Sequence, residues 1–289
     1  MNLSLRFDNG CLKSYTFGMF RIIFLLICFI PFSSLACDGG MFKQNIYSSS
    51  NNSLTEKKFR EVLTDFQKTF SPEVKKKHKA DLLVYGQWAS DSINAYAERD
   101  MNAWIITLYG GMARHKRLTL DGLKLILCHE LGHHLGGAPK KGTNKWSSAE
   151  GQADYFSTMK CLRKWWKEEV WEAQEVPASV KEECAHSYSE SLDQHLCQRM
   201  SLAGKSVASM FQDLHQEAPV DFETPDQLRV IITNTQHSEA QCRLDTFFQG
   251  ALCPVSEKVD FSYADQTTGA CHVALGDSRG VRPQCWFAP

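Results

Sequence analysis

The fold of this chain is decided by one stretch, Leu125-Ile126-Leu127-Cys128-His129-Glu130-Leu131-Gly132-His133-His134. Its apolar residues predict a helix, on which His129 and His133, four residues apart, project from the same face. Two imidazoles at this spacing can bind one metal ion, and Glu130 beside them can hold and deprotonate a metal-bound water molecule. His134 lies off that face, so we expect it to support the ligands or the helix. The pattern predicts a catalytic metal centre on this helix.

The third ligand decides the class of site, because a catalytic zinc ion usually takes three protein ligands and a water molecule. A histidine six residues after His133 would define the metzincins, but that position is Pro139. Glu150 and Asp154 follow at a spacing of four, which places them on one face of a second helix. This is the gluzincin arrangement, in which Glu150 would complete the zinc site and Asp154 would accept the free ring N–H of a ligand histidine. Two ordinary helices with surface carboxylates are the alternative, and the order of the two motifs argues against it.

Length and charge limit the classes of partner. A chain of 289 residues can bury a substantial core and form one or two domains. The formal net charge of −1 gives no indication of a nucleic acid or an anionic surface as partner. The basic run at 75–79 is short and indicates a solvated face. We therefore expect no nucleic acid as partner, while the H-E-x-x-H pattern at 129–133 indicates a protein or peptide substrate.

Residues 1–36 predict an export signal. Arg21 precedes a nine-residue apolar run at 22–30, and Ser34-Leu35-Ala36 places small residues at the two positions that signal peptidase reads. The run is too short to span a membrane. The mature chain is expected to begin at Cys37 and to be periplasmic or secreted.

Cys37 could also carry a lipid that anchors the protein to the cell envelope. Such sites usually have Leu three residues before the cysteine, and Ser34 stands there, so both forms remain open. Of eleven cysteines, Cys11 and Cys28 lie in the export signal and nine remain. Lipidation of Cys37 would leave eight, an even number, in a compartment that permits disulfides.

The pairing of those eight cysteines cannot be derived from spacing alone. Cys242 with Cys253, and Cys271 with Cys285, are plausible close pairs. Cys128, inside the metal-binding helix, is either paired or a buried free thiol.

Hydrophobic patterns divide the mature chain into four segments of an α+β protein. A polar linker at 37–52 is followed by a metal-binding core at 53–175, with strands at 81–85, 93–97 and 102–109. Thr119 or Asp121 caps the helix that runs to about Leu135, and the second helix covers about 148–166. A helical region at 176–252 is expected to complete the active site. Residues 253–289 are expected to form a cysteine-rich tail, an appendage that disulfides cross-link.

The order of these elements resembles the HtpX and CAAX-prenyl-protease family of zinc endopeptidases, metallopeptidase family 48. Asn94-Ala95-Tyr96-Ala97 matches the segment of that family ahead of its edge strand, 129–133 matches its zinc helix, and Glu150-Gly151-Gln152-Ala153-Asp154 matches its E-x-x-A-D motif. His237 is followed six residues later by Arg243-Leu244, at the family spacing, although Ser238 replaces the usual proline. The resemblance covers about 55–250.

The resemblance implies a zincin-like gluzincin core with a small sheet that has an edge strand and two zinc-site helices. Its functional residues would be the Zn²⁺ ligands His129, His133 and Glu150, the base Glu130, the oxyanion donor His237 and Arg243, which would position His237 or an acidic neighbour. Strand 103–109 would be the exposed sheet edge to which an extended peptide adds. The gap between His133 and Glu150 is shorter than is common in the family, which implies a reduced lid. The sequence has no spans like those of HtpX, which favours a soluble or lipid-anchored periplasmic branch.

Two alternatives to a zinc endopeptidase of the cell envelope or the extracellular space stay open. The first is a gluzincin that cleaves one dedicated regulator, as ImmA-type peptidases do, but those are cytosolic and an export signal argues against it. The second is a non-catalytic, cysteine-stapled binding module with a structural zinc. Structural zinc sites are normally closed by four protein ligands, and no fourth is evident beside this motif.

Overall fold

The computed structural model describes residues 46–47, 53–142, 146–169, 171 and 175–289. The predicted export signal, Cys37 and most of the predicted linker lie outside the described residues. Within them the chain has a mixed α/β fold with several helices and a small sheet, and the predicted α+β class is confirmed at this level. No described helix is both long and apolar enough to cross a membrane.

The sheet has three strands in the order β2-β5-β4, comprising β2 (Asp81–Gln87), β4 (Ala95–Asp100) and β5 (Ala103–Tyr109). β2 pairs with β5 in parallel and β4 pairs with β5 in antiparallel register. A separate short ladder joins β1 (Ile46–Tyr47) to β3 (Ser92–Ile93). The long helix α1 (Glu56–His78) precedes β2 and buries an apolar stripe that includes Phe59 and Phe66.

The prediction that 103–109 is an exposed sheet edge is wrong, because β5 is hydrogen-bonded on both sides. The side chains explain the order. Trp104, Ile106 and Leu108 of β5 are buried, as an interior strand requires. β4 instead carries charged residues at 98–100, which are typical of a sheet edge. The exposed edge beside the helix that carries His129 and His133 is therefore β4.

The helix that carries His129 and His133 lies at the centre of the fold. After the short α2 (Gly110–Ala113), α3 extends over Leu120–Leu135, and the Thr119 hydroxyl accepts a hydrogen bond from the Gly122 amide as its cap. The predicted cap and end of this helix are confirmed. Every residue from 122 to 134 is buried, so α3 is covered on all sides. The covering elements are the sheet and the helices that follow.

The second site helix begins at Glu150 and continues to Trp165. It comprises α4 (Glu150–Phe156), a π-helical turn (Ser157–Leu162) and α5 (Arg163–Trp165). Three further helices follow, α6 (Ala178–Ser187), α7 (Ser191–His215) and α8 (Ala240–Leu252). α8 packs on α7 and α4, which brings its side chains next to the helix that begins at Glu150.

The eight described cysteines form four disulfides, Cys128–Cys161, Cys184–Cys197, Cys242–Cys285 and Cys253–Cys271. The predicted pairs Cys242/Cys253 and Cys271/Cys285 are therefore wrong, as is a free thiol at Cys128. Cys242 and Cys253 stand at opposite ends of α8, and eleven residues of helix rise about 16 Å. A disulfide needs a Cα–Cα distance of about 4.4–6.8 Å. Four disulfides are typical of an oxidising compartment, which fits export.

The tail at 253–289 is cross-linked by disulfides, but it is not an appendage because it packs against the rest of the fold. Trp286 is fully buried, and its ring lies against Gly151, where a side chain would have no room. The Tyr155 hydroxyl donates a hydrogen bond to the Gly280 carbonyl, and Arg282 donates to Gln152 Oε1 at 2.6 Å. The tail therefore packs directly behind the helix that carries Glu150.

Candidate metal centre

Three side chains from two helices meet at one point. His129 and His133 project from α3, and Glu150 projects from the first turn of α4. Glu150 Oε2 lies 3.2 Å from His129 Nε2 and 3.6 Å from His133 Nε2. One ligand atom from each of the three residues lies within 4.8 Å of the other two, and all three residues are buried. This cluster could hold a metal ion.

Close packing of the two helices makes this geometry possible. A Cβ atom at Gly132 would lie 2.8 Å from Ala153 Cα, so glycine is needed where α3 crosses α4. The connecting loop returns along the end of α3, because the Ser148 amide donates to the His133 carbonyl at 3.0 Å. Gln152 Nε2 donates to the Gly136 carbonyl at 2.6 Å and fixes the same junction.

The orientation of both imidazoles fits a metal ligand role. His129 Nδ1 lies 2.6 Å from Asp154 Oδ1, and His133 Nδ1 lies 3.0 Å from the Ser148 carbonyl oxygen. These contacts turn both Nε2 atoms towards Glu150, as outer hydrogen bonds do for metal-binding histidines. Within the described part of the chain, His129 Nε2, Glu150 Oε2 and Glu130 Oε1 are buried and make no hydrogen bond of good geometry, although the first two atoms lie 3.2 Å apart. Two imidazole nitrogens and a carboxylate oxygen are a donor set that suits zinc.

Asp154 is held from behind by Arg243 of α8. Arg243 Nε donates to Asp154 Oδ2 at 2.9 Å, and the neighbouring guanidinium nitrogen donates to Oδ1 at 2.6 Å. Burial alone would raise the pKa of Asp154, but the charges of Arg243 and His129 outweigh it and lower that pKa. The acidic neighbour that Arg243 binds is therefore Asp154, and both side chains are almost fully buried.

The two histidines differ in their affinity for protons. Burial would lower the pKa of His129, but Asp154, Glu150 and Glu130 outweigh burial and raise it to about 9. Burial lowers the pKa of His133 to about 4. A metal ion would therefore displace a proton at His129 and meet a neutral ring at His133.

Glu130 follows His129 on α3 and is 1% exposed. Burial raises the pKa of its carboxyl group to about 7, while the charge of His129 opposes that shift and the charge of Glu150 adds to it. A general base works best when its pKa lies near the working pH. Its environment therefore suits Glu130 to proton transfer at neutral pH.

His237 reaches the cluster from the segment ahead of α8. Its Nδ1 lies 3.3 Å from Glu150 Oε2, and its side chain is 13% exposed. Burial lowers its pKa to about 4, so the ring is neutral at neutral pH. The ring nitrogens of His237 are not among the three clustered atoms of His129, His133 and Glu150. The His237 side chain lies next to this cluster, in contact with Glu150.

His134 packs against aromatic rings, as expected of a residue that supports the fold. Its ring is stacked between Trp104, at a centroid distance of 4.9 Å, and Trp146, at 5.0 Å. Arg99 of β4 donates to its Nδ1 at 3.2 Å, which ties the exposed sheet edge to the end of α3. Burial holds the pKa of His134 well below its usual range, so this ring is neutral.

One residue at the cluster was not found from the sequence. Lys141 Nζ donates to Glu150 Oε1 at 2.8 Å, and the lysine side chain is only 11% exposed. It stands in the loop between the two motifs, beside Lys140, and neither spacing nor composition separates these two lysines. Only the folded position of the loop shows that Lys141 contacts the Glu150 carboxylate.

Comparison of the chain with protein-family models, with curated proteins and with solved structures finds no match. The class that fold and site define is a disulfide-bonded α/β protein with a buried His-His-Glu cluster that could hold a metal ion.

Proposed function

We propose that this chain is a zinc-dependent endopeptidase of the gluzincin type, exported to the periplasm or beyond the cell. The observation that carries the proposal is the convergence of His129 Nε2, His133 Nε2 and Glu150 Oε2, with Glu130 next to the first ligand in sequence. The resemblance to the HtpX and CAAX-prenyl-protease family supports the same assignment through the same residues.

The chemistry divides between the metal and the protein. When bound, zinc would act as a Lewis acid on a carbonyl group and would lower the pKa of a water molecule. Glu130 accepts the proton of the attacking water and passes it to the leaving nitrogen. Asp154, fixed by Arg243, keeps the His129 ring in the orientation that a ligand needs.

The substrate would be an extended peptide that adds to the free edge of β4. Strand addition supplies main-chain hydrogen bonds that do not depend on sequence. β4 lies close to the metal helix, since its Arg99 contacts His134 and the negative charge of Glu130 contributes to a raised pKa at Tyr96. This replaces β5 in the role that the sequence predicted for 103–109.

His237→Ala should reduce kcat by on the order of 10²–10³ with little change in KM, the loss typical of one oxyanion donor. Its ring is neutral and borders the ligand cluster, so it can donate a hydrogen bond to a substrate oxygen. The measurement is steady-state hydrolysis of a quenched-fluorescence peptide. Zinc content serves as the control, and a wild-type kcat in this variant would remove His237 from the mechanism.

The experiment that tests the proposed function is casein cleavage by the purified protein before and after chelation. We expect one zinc per chain, loss of cleavage with a chelator, and recovery when zinc is restored. A protein that holds zinc but cleaves neither casein nor a peptide library would instead support a structural zinc in a binding module.

A further inference from the structure

The two oxygens of the Glu150 carboxylate have different neighbours. Oε2 lies 3.2 Å and 3.6 Å from the two imidazole Nε2 atoms, while Oε1 accepts a hydrogen bond from Lys141 Nζ at 2.8 Å. Glu150 is almost fully buried, so its charge depends on neighbouring groups for stabilisation. Lys141 therefore contacts Oε1, whereas the closest contacts of His129, His133 and His237 are all with Oε2.

The position of Lys141 is fixed by the backbone of a short loop. Its amide donates to the Ser147 carbonyl at 2.8 Å, and Lys140 pairs with Ser148 in an antiparallel bridge. The other side of this loop leads directly into Glu150. Its Ala149 amide donates to the Pro139 carbonyl at 2.8 Å, which joins the two sides. The backbone hydrogen bonds between the two sides of this loop thus hold Lys141 close to the Glu150 carboxylate.

A carboxylate can bind a metal through one oxygen or through both. A catalytic zinc site needs a position open for water or substrate, and a second oxygen ligand would occupy space near that position. A hydrogen bond from a cation to Oε1 disfavours the two-oxygen mode, because metal and ammonium compete for the same lone pairs and repel one another.

We propose that Lys141 is a positioning residue that restricts Glu150 to one metal-binding oxygen and keeps a coordination position open. The inference rests on the proposed function only in taking Glu150 as the third zinc ligand. Lys141 also offsets the charge of Glu150 when zinc is absent, and so competes with the metal. The residue lowers zinc affinity while preserving the open site.

Lys141→Met should bind zinc more tightly than wild type, by on the order of tenfold, the size of effect that outer groups have on metal sites. The metal-free variant contains a buried carboxylate that has lost its cation, and zinc then relieves that cost. Competition with a fluorescent chelator measures the affinity. A crystal structure of the zinc-loaded variant should have both Glu150 oxygens at bonding distance from the metal, whereas wild type should have one.

Three further variants make the result specific. Lys141→Arg should restore wild-type affinity and one-oxygen binding, because it keeps the cationic donor. Lys140→Met is the matched control, since Lys140 donates to the Trp146 carbonyl at 3.2 Å and stands over the Tyr263 ring. It should leave zinc affinity unchanged. If Lys141→Met does not fold, Lys141→Gln removes the charge with less loss of polarity and is measured in the same way.

Weaker or unchanged zinc binding in the Lys141 variants, with Glu150 still bound through one oxygen, would overturn the inference. None of these measurements depends on catalysis. If zinc affinity and Glu150 coordination change as expected in a protein that cleaves no peptide, the inference stands and the proposed function fails. If the wild type is a zinc peptidase and the Lys141 variants bind zinc as it does, the inference fails alone.

Discussion

Glu130→Gln should reduce peptide hydrolysis by at least about 10²–10⁴-fold, the range for a general acid–base group, while the protein keeps its zinc. The amide has nearly the same shape as the carboxylate but cannot accept a proton from water. Glu130 is outside the group of three ligand atoms, so the metal should remain bound. Casein cleavage and zinc content measured on the same preparation check both parts.

Glu130→Asp is the informative companion to this variant. It keeps the carboxylate but withdraws it by one methylene, so we expect activity between wild type and Glu130→Gln. Loss of zinc from Glu130→Gln would show that Glu130 is a ligand, and full activity would show that another group is the base.

Glu150→Ala should lose zinc almost completely, because only His129 and His133 remain as ligands. Asp154→Asn should weaken zinc binding by roughly 10–100-fold, since it loses the charge that orients the His129 ring. The expected order of zinc affinity is therefore wild type, Asp154→Asn, Glu150→Ala. Titration of the metal-free proteins with zinc in a competing chelator measures it.

Circular dichroism and thermal unfolding of the metal-free proteins provide the control, because Asp154 also binds the buried Arg243. A folded Glu150→Ala variant with wild-type zinc affinity would contradict the ligand assignment. A larger loss in Asp154→Asn than in Glu150→Ala would mean that the roles of the two carboxylates are reversed.

The parts of this site that could be predicted from sequence depend on helical spacing. His129 and His133 on α3, and Glu150 and Asp154 on α4, need only 3.6 residues per turn to share a face. The Thr119 cap and the end of α3 near Leu135 are equally local, because they depend on neighbouring backbone groups. Local geometry therefore predicts the elements, but not what packs beside them.

The remaining features depend on contacts between distant parts of the chain. β5 is an interior strand because β2, about twenty residues earlier, pairs with it in parallel. The disulfide partners follow from the course of α8, and Lys141 meets Glu150 because its loop folds back on α3. Spacing along the sequence gives no information on such contacts, so these features cannot be derived from it.

Two disulfides stand one residue ahead of a site residue, Cys128 before His129 and Cys242 before Arg243. Each closes a loop whose cross-link contributes about 3–4 kcal/mol on the chain-entropy account. A protein molecule kept in a reducing cytoplasm would lack both cross-links. The hydrogen-bonded series His129–Asp154–Arg243 would then be held less firmly at both ends. In a protein that is exported as proposed, the two cross-links would form where the surroundings are oxidising, and they would stabilise this part of the site there.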